Sequence, residues 1–206
     1  MTNTIYIVDD HPLICDSIQL YAQANNYRVV GTANKSDSLF LDIFHLKPDV
    51  LILDLNLPGH SGIALVKDLK QVLSKQKIII FTASESLFYQ RCCLQLGVEG
   101  YLRKRGEPEE LLNALNDVIQ GKRCYPMSSF DSLLRAHYED DKLMSLTRRE
   151  LMVLVKLAAG YSNKEIAALL HLSNKTISTY KIAIQQKLEI KGIREIIAIA
   201  ERNDLI

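Results

Sequence analysis

The sequence predicts an α/β fold, a doubly wound five-stranded parallel sheet, followed by an all-α domain. Two observations predict the sheet. Short apolar runs alternate with helical patterns across residues 1–121, and two of the runs, Ile5-Tyr6-Ile7-Val8 and Val50-Leu51-Ile52-Leu53, carry no charge. Strands buried on both faces, between two layers of helices, read this way. A third observation predicts the second domain: residues 146–206 show helical periodicity only, with two capping-box patterns.

Each element of the first domain has a local cause. The expected strands are Ile5–Val8, Arg28–Thr32, Val50–Leu53, Ile78–Phe81 and Gly100–Leu102. Pro12 suits the first turn of a helix that runs to about Asn25. Ser36, Ser61 and Ser86 are placed to cap the second, third and fourth helices. Glu107-Pro108-Glu109-Glu110 opens the fifth with acids at the positive end of its dipole, and Gly121 marks its stop. In a 2-1-3-4-5 strand order the topological switch point lies between strands 1 and 3.

Residues 122–145 break the pattern with Tyr125-Pro126, a serine pair and the acidic patch Glu139-Asp140-Asp141. They are expected to form a linker, with a short helix near Phe130–Tyr138. Thr147-x-x-Glu150 then opens a helix ended by Gly160, and Ser162-x-x-Glu165 opens a short one over Asn163–Leu170. His171-Leu172-Ser173 makes a turn before a longer helix, Asn174 to about Leu188, which Lys191-Gly192 ends. A last amphipathic helix covers Ile193–Arg202. A short helix, a three-residue turn and a longer helix make a helix-turn-helix. The expected domains are therefore 1–121, linker 122–145, and 146–206.

The overall charge of +1 hides a split. Residues 1–121 hold 11 Lys and Arg against 14 Asp and Glu, whereas residues 146–206 hold 10 against 6. An acidic front and a basic tail suit different partners, nucleic acid among them for the tail. The N-terminus lacks the charged and apolar regions of a signal peptide, and no apolar stretch reaches membrane-span length, so the expected location is the cytoplasm. The four cysteines include no C-x-x-C pair and read as reduced, packed thiols.

Chemistry concentrates at the strand ends. Asp9 and Asp10 follow strand 1, and Asp54 follows strand 3. Three carboxylates at one rim repel, and they stay ionised together when a hard cation such as Mg²⁺ joins them. Thr82 follows strand 4 and Lys104 follows strand 5, so a hydroxyl and an ammonium reach the same rim. Asp54 is the expected nucleophile for phosphoryl transfer, Asp10 the direct metal ligand and Asp9 its helper through water, with Asn56 offering its backbone carbonyl. Singly, an acid after a strand is a turn former and a lysine a solvated charge; the combination is harder to explain that way.

Residues 1–121 resemble the receiver domain of bacterial two-component response regulators. The resemblance rests on Asp9-Asp10, Asp54 with Pro58 and Gly62, Thr82-Ala83 and Lys104, and Asp-Asp-His-Pro-Leu and Gly-Tyr-Leu-x-Lys are similar to the NarL/FixJ subgroup. It implies that Asp54 takes phosphate from a sensor histidine kinase or phosphotransfer domain, and that Thr82 and Tyr101 move together as a switch. Where many receivers carry a proline after the lysine, this chain has Arg105. Residues 146–206 resemble the LuxR-type helix-turn-helix through Leu146-Thr147-x-Arg149-Glu150, Gly160-x-Ser162-Asn163-Lys164-Glu165-Ile166-Ala167 and Ser173-x-x-Thr176-Ile177, and Ser173–Lys181 is similar to the BvgA/EvgA branch.

On the longer tail helix, Ile177, Tyr180, Ile184 and Leu188 recur at helical spacing and form an inward face. Recognition helices contact bases through their N-terminal residues, here with Thr176 among them. The resemblance points Ser178, Thr179 and Ile182 into the major groove; hydroxyls meet either base edge, and an isoleucine can meet a thymine methyl. Lys164, Lys175 and Lys181 are better placed for phosphate. The bland alternative is a solvated face.

The expected function is a phosphorylation-controlled, sequence-specific DNA-binding transcription regulator and not an enzyme. Its expected partners are double-stranded DNA, a sensor kinase or phosphotransfer domain, RNA polymerase, and a second copy of the chain when phosphorylated. Ile193, Ile196, Ile197 and Ala200 of the last helix form either a dimer contact or bundle packing. One alternative binds DNA without phosphorylation and uses the receiver only to dimerise. Another, a nucleotide-dependent enzyme, lacks any G-x-G-x-x-G or Walker sequence among nine glycines.

Overall fold

Two compact units make up the described chain, seen in a computed structural model that describes residues 2–35, 38–58, 62–126, 142–203 and 205–206. From Thr4 to Ile119 strand and helix alternate: β1 (Thr4–Val8), α1 (Pro12–Ala24), β2 (Arg28–Ala33), α2 (Leu39–Leu46), β3 (Val50–Leu53), α3 (Gly62–Val72), β4 (Lys77–Thr82), α4 (Leu87–Gln95), β5 (Gly100–Arg103) and α5 (Pro108–Ile119); all of these belong to the first unit except residues 86–92, with most of α4, which group with the second. The strands pair in parallel in the order β2-β1-β3-β4-β5. This is the expected doubly wound sheet, with its switch point between β1 and β3.

Apolar content explains why β1 and β3 are central. Ile5, Ile7, Val8, Val50, Leu51 and Leu53 are all fully buried. Ile5, Ile7, Val50 and Ile52 pack in one cluster with Ile18 of α1 and Leu111, Ala114, Leu115 and Val118 of α5. Each fully buried aliphatic side chain contributes about 1.5–3 kcal/mol. The register then places the chemistry. Val8 pairs with Leu53, and Thr82 pairs with Arg103, so the residues after β1, β3 and β4 reach a common rim. Asp54 N–H donates to the Val8 carbonyl at 2.9 Å, which sets Asp9 and Asp54 on adjacent strand ends.

One region differs from the sequence reading. The segment after α5 does not leave the sheet at once: Cys124 bridges Gly100, its N–H donating to the Glu99 carbonyl and its carbonyl accepting from Tyr101 N–H. β5 is an edge strand with backbone groups to satisfy, and Cys124 satisfies some of them. Tyr125 follows it in, buried, with its hydroxyl on the Val98 carbonyl at 3.0 Å. The capping serines Ser36 and Ser61, the 130–138 helix and the acidic patch 139–141 lie outside the described residues.

The second unit contains α6 (Arg148–Ala158), α7 (Asn163–Leu169), α8 (Asn174–Leu188) and α9 (Ile193–Arg202). Both capping boxes form, Thr147 with Glu150 and Ser162 with Glu165. Gly160 takes φ +87°, the left-handed conformation that ends α6, and Ser173 caps α8 by accepting from Thr176 N–H. α8 ends at Leu188 as expected, but the residue that stops it is Glu189, in the left-handed cap at φ 57°, and not Lys191-Gly192. Val153, Leu154, Ile166, Ile177, Ile184, Ile196 and Ala200 are buried. On α9 the apolar face is turned relative to the sequence reading. Ile196, Ile199 and Ala200 are buried, while Ile193 is exposed and Ile197 half-buried. Among the described residues no helix is long and apolar enough to cross a membrane.

Candidate functional site

Lys104 is the hub of the rim. Its ammonium stands 2.6 Å from Asp54 Oδ2 and 2.7 Å from Asp9 Oδ2, and all three side chains are nearly out of solvent. The Lys104 backbone reinforces the placement, its N–H donating to the Thr82 carbonyl at 2.9 Å. Burial pulls the ammonium's pKa down, but the bonds to Asp54 and Asp9 outweigh it and hold the pKa above the usual lysine range. The lysine is therefore a fixed cation at neutral pH.

One cation does not balance the rim. Asp10 adds a third carboxylate, and ligand atoms of Asp9, Asp10, His11 and Asp54 all lie within 4.8 Å of one another. Asp10 Oδ1 is buried and accepts no hydrogen bond. His11 Nδ1 stands 2.8 Å from it, an ion-pair distance without hydrogen-bond geometry. A buried oxygen left without a donor is costly unless something else meets it. Hard oxygen donors with surplus negative charge fit Mg²⁺. The residues present thus suit the divalent cation that the receiver-like pattern implies.

The loops hold the rest. Asn56 N–H donates to Asp54 Oδ1 at 3.0 Å, a tight turn that aims the carboxylate. Gly62 makes this turn possible, since a Cβ there would overlap the Leu55 carbonyl. The Asn56 carboxamide reaches Thr82 Oγ1 at 3.4 Å, and Ser84 N–H reaches the same hydroxyl at 3.3 Å. Tyr101 is fully buried, and its hydroxyl donates to the Ser84 carbonyl at 3.1 Å while its ring stacks on Tyr125. Asp9, Asp10, Asp54, Asn56, Thr82 and Lys104 are thus brought together. Tyr101 stands apart and connects to Thr82 through Ser84.

Two participants escaped the sequence reading. His11 joins the acid cluster; the sequence reading used it only within the Asp-Asp-His-Pro-Leu stretch and assigned it no place at the rim. Tyr125 backs Tyr101 from a segment whose composition read as linker.

The tail presents a different kind of site. Lys164, Lys175, Thr179 and Ile182 are exposed on α7 and α8, with Ile182 at 55%. Ser178 and Lys181 are half-buried. Thr179 Oγ1 donates to the Lys175 carbonyl, and Ser178 Oγ donates to the Asn174 carbonyl while accepting from Asn163 across to α7. Thr176 is committed to the cap, its hydroxyl 2.8 Å from Ser173 Oγ. Beneath this face Ile177, Ile184 and Leu188 are buried and Tyr180 is half-buried. Lys187 clamps α8 to α6 through Glu150 Oε2 at 2.7 Å.

The geometry defines a two-part protein with an acid-rich rim on a parallel sheet and a helix-turn-helix. Comparison with known proteins agrees. Residues 5–116 match the response regulator receiver domain family, and residues 144–200 match the bacterial regulatory proteins of the luxR family. The transcription regulator of virulence factors BvgA from Bordetella pertussis is 32% identical over 209 residues, with each chain covered completely. The DNA-binding transcriptional activator EvgA from Escherichia coli is 30% identical, over 97% of this chain and 98% of EvgA. RcsB from Salmonella enterica serovar Typhimurium, solved on a promoter with the phosphomimetic BeF3⁻, aligns with a TM-score of 0.64 at 29% identity. That alignment covers 100% of this chain and 98% of RcsB. A further RcsB structure holds two dimers on two parallel DNAs and aligns with a TM-score of 0.62 at 29% identity, over 98% of each chain. The chain belongs to the NarL/FixJ family of response regulators, transcription regulators that join a receiver domain to a LuxR-type DNA-binding domain.

Proposed function

We propose that this response regulator is phosphorylated on Asp54 and that the phosphoryl group controls its binding to a specific DNA sequence. The observation that carries the proposal is the Lys104 ammonium bridging Asp54 and Asp9 at one rim, beside the orphan oxygen of Asp10. A carboxylate held this way is a nucleophile when the donor supplies an activated phosphoryl group. An oxygen of Asp54 bonds to phosphorus as the P–N bond of a phosphohistidine donor breaks, and the imidazole departs with a proton. Asp10 and Asp54, with Asp9 and the Asn56 carbonyl nearby, would hold Mg²⁺, which would supply charge neutralisation at the phosphoryl oxygens. Lys104, already on Asp54 Oδ2, would offer its ammonium to the phosphoryl oxygens.

The Asn56–Thr82–Ser84–Tyr101 chain of hydrogen bonds gives the signal a route outward. A phosphoryl oxygen that captures the Thr82 hydroxyl breaks those bonds and biases Tyr101 and its Tyr125 support. We read this as a shift between existing populations. On the tail, Thr179, Ile182 and Ser178 face base edges, while Lys164, Lys175 and Lys181 meet phosphates. We place Thr176 with the cap and not with base contacts.

The solved RcsB dimers on DNA support a second copy of this chain as partner, joining two half-sites. A sensor kinase or phosphotransfer domain supplies the phosphate. RNA polymerase is the downstream partner, in the cytoplasm where the DNA is. We set the working boundaries at 1–121 and 146–206. The test is intact-mass measurement after incubation with a small phosphodonor and Mg²⁺. One phosphoryl group per chain on the wild type and none on Asp54→Asn is expected. Stoichiometric labelling of Asp54→Asn would overturn the assignment.

A further inference from the structure

We propose that the groove between the end of α2 and the end of α3 is a docking site for an acidic amphipathic helix of a partner protein. The inference goes beyond the Asp54 reading and does not depend on it. It starts from α2, whose eight residues include six that are Leu, Phe or Ile. A helix that is apolar on every side belongs in a protein interior. Here only Leu39 and Ile43 are buried. Leu41 is 64% exposed and Phe44 62%, at the spacing that puts two side chains on one helix face, and Val72 at the end of α3 is 68% exposed.

These side chains are not scattered. Phe44 and Val72 line one groove of about 550 Å³, together with Ile43, Leu73 and Ile119. Single exposed apolar residues need no explanation, but an apolar strip continuous with a groove does. The same groove is basic. Lys47, Lys75 and Lys77 line it, the first two exposed and the third donating to the Ile119 carbonyl at 2.9 Å. Asp49, an acid of the same lining, already accepts the Thr4 N–H at 2.7 Å and the Thr4 hydroxyl at 2.8 Å. Three lysines thus gather at one end of a domain whose residues 1–121 hold 11 Lys and Arg against 14 Asp and Glu.

Shape and charge choose the occupant. A concave groove with apolar walls and ammonium groups takes a ridge that carries apolar side chains at i, i+3, i+4 and i+7 with carboxylates beside them. A second copy of this chain would bring lysines against lysines across a twofold contact. A flat anionic lipid surface would meet the lysines and leave the groove unfilled. The groove lies where β3 and β4 begin, at Pro48, Asp49 and Lys77, whereas the acid rim lies where the same strands end, at Asp54 and Thr82. A helix bound here leaves Asp54 open to its phosphodonor, so this surface tethers the regulator without competing with phosphorylation.

Fluorescence anisotropy of the full chain with two labelled helical peptides of about 16 residues tests this. Both peptides carry Leu and Phe at i, i+3, i+4 and i+7; one has Glu at every flanking position, and its twin has Lys. The Glu peptide should bind at about 100 µM or tighter, and the Lys peptide about tenfold more weakly or worse. Phe44→Ser should weaken the Glu peptide by about tenfold or more, and Lys47→Glu combined with Lys75→Glu should reverse the order of the two peptides. All three side chains are exposed, so these variants keep the fold. No binding of the Glu peptide at about 1 mM, equal affinity for the two peptides, or an unchanged affinity in Phe44→Ser overturns the inference. So does uptake by phosphatidylserine vesicles that Phe44→Ser abolishes, which would make the patch a lipid anchor. A concentration-dependent dimer that Phe44→Ser dissolves would equally overturn it and make the patch a self-contact.

Discussion

Asp54 and Thr179 occupy opposite kinds of surroundings. Asp54 is almost fully buried, held by Lys104 on one oxygen and Asn56 N–H on the other. Thr179 is exposed, and its hydroxyl is occupied only by its own helix at the Lys175 carbonyl. The first side chain is shaped by groups already present in the chain. The second faces solvent. A buried charge cluster must be built into the fold, because an unpaired buried charge is prohibitive, whereas an exposed recognition face costs the folded chain little. Changes at the rim should therefore act steeply, and changes on α8 in small, separable steps.

The steepest effect belongs to the rim. Lys104→Ala removes the cation shared by Asp54 and Asp9 and should slow phosphorylation by about 100-fold at saturating phosphodonor, the usual loss for one preorganised electrostatic group. Phosphate incorporation over time measures it. A rate within threefold of wild type would make the rim as loosely coupled as the tail.

Thr179→Ala comes next. It should cost about 1–3 kcal/mol on the true operator and little on scrambled DNA, since a base contact carries sequence information. Fluorescence anisotropy on the two duplexes reads the difference, and equal losses on both would place Thr179 against phosphate.

Lys175→Ala should do the reverse. Its loss should be uniform across sequences, and the slope of log affinity against log salt should fall by about one, because one counterion-releasing contact is gone. Loss of discrimination instead would mean that α8 lies rotated in the groove.

The smallest effect concerns the scaffold of that face. Burial opposes the Glu150 carboxylate, but Lys187 and the Thr147 cap overcome it and hold its pKa below the ordinary value of 4.5. A depressed carboxylate contributes stability that is complete above its unfolded pKa and is lost as pH falls through the folded one. The tail should therefore lose stability on acidification below about pH 4.5, and Lys187→Met should flatten that dependence. With Lys187 a third exposed, the pair contributes no more than about 1 kcal/mol at neutral pH. Urea unfolding of residues 142–206 at several pH values would show it; parallel curves for both proteins would remove the clamp from the account.

The same contrast explains what the sequence disclosed. Asp9, Asp54 and Thr82 were legible because unbroken apolar runs identify buried parallel strands, and parallel strands bring their ends to one rim. The helices of the tail were legible because Thr147-x-x-Glu150 and Ser162-x-x-Glu165 are local signals. Contacts far apart in the chain were not. Nothing in Lys122–Pro126 announces that Cys124 will bridge Gly100, since the need arises from an unpaired strand edge. Lys187 meets Glu150 only after α6 and α8 pack. On α9, placing Ile193 rather than Ile199 on the inner face reflects a helix rotation of about 100° per residue, which short helices leave weakly determined. The place of His11 at the rim was missed because a histidine in a loop has no periodicity to betray it.

The central claim is that the buried rim controls the exposed face. The most direct measurement is affinity for a specific genomic operator, with and without a small phosphodonor and Mg²⁺, for wild type and Asp54→Asn side by side. The wild type should bind at least tenfold more tightly with the donor, and Asp54→Asn should show one affinity under both conditions. If the two proteins bind alike and ignore the donor, the receiver does not gate DNA binding and the account is wrong.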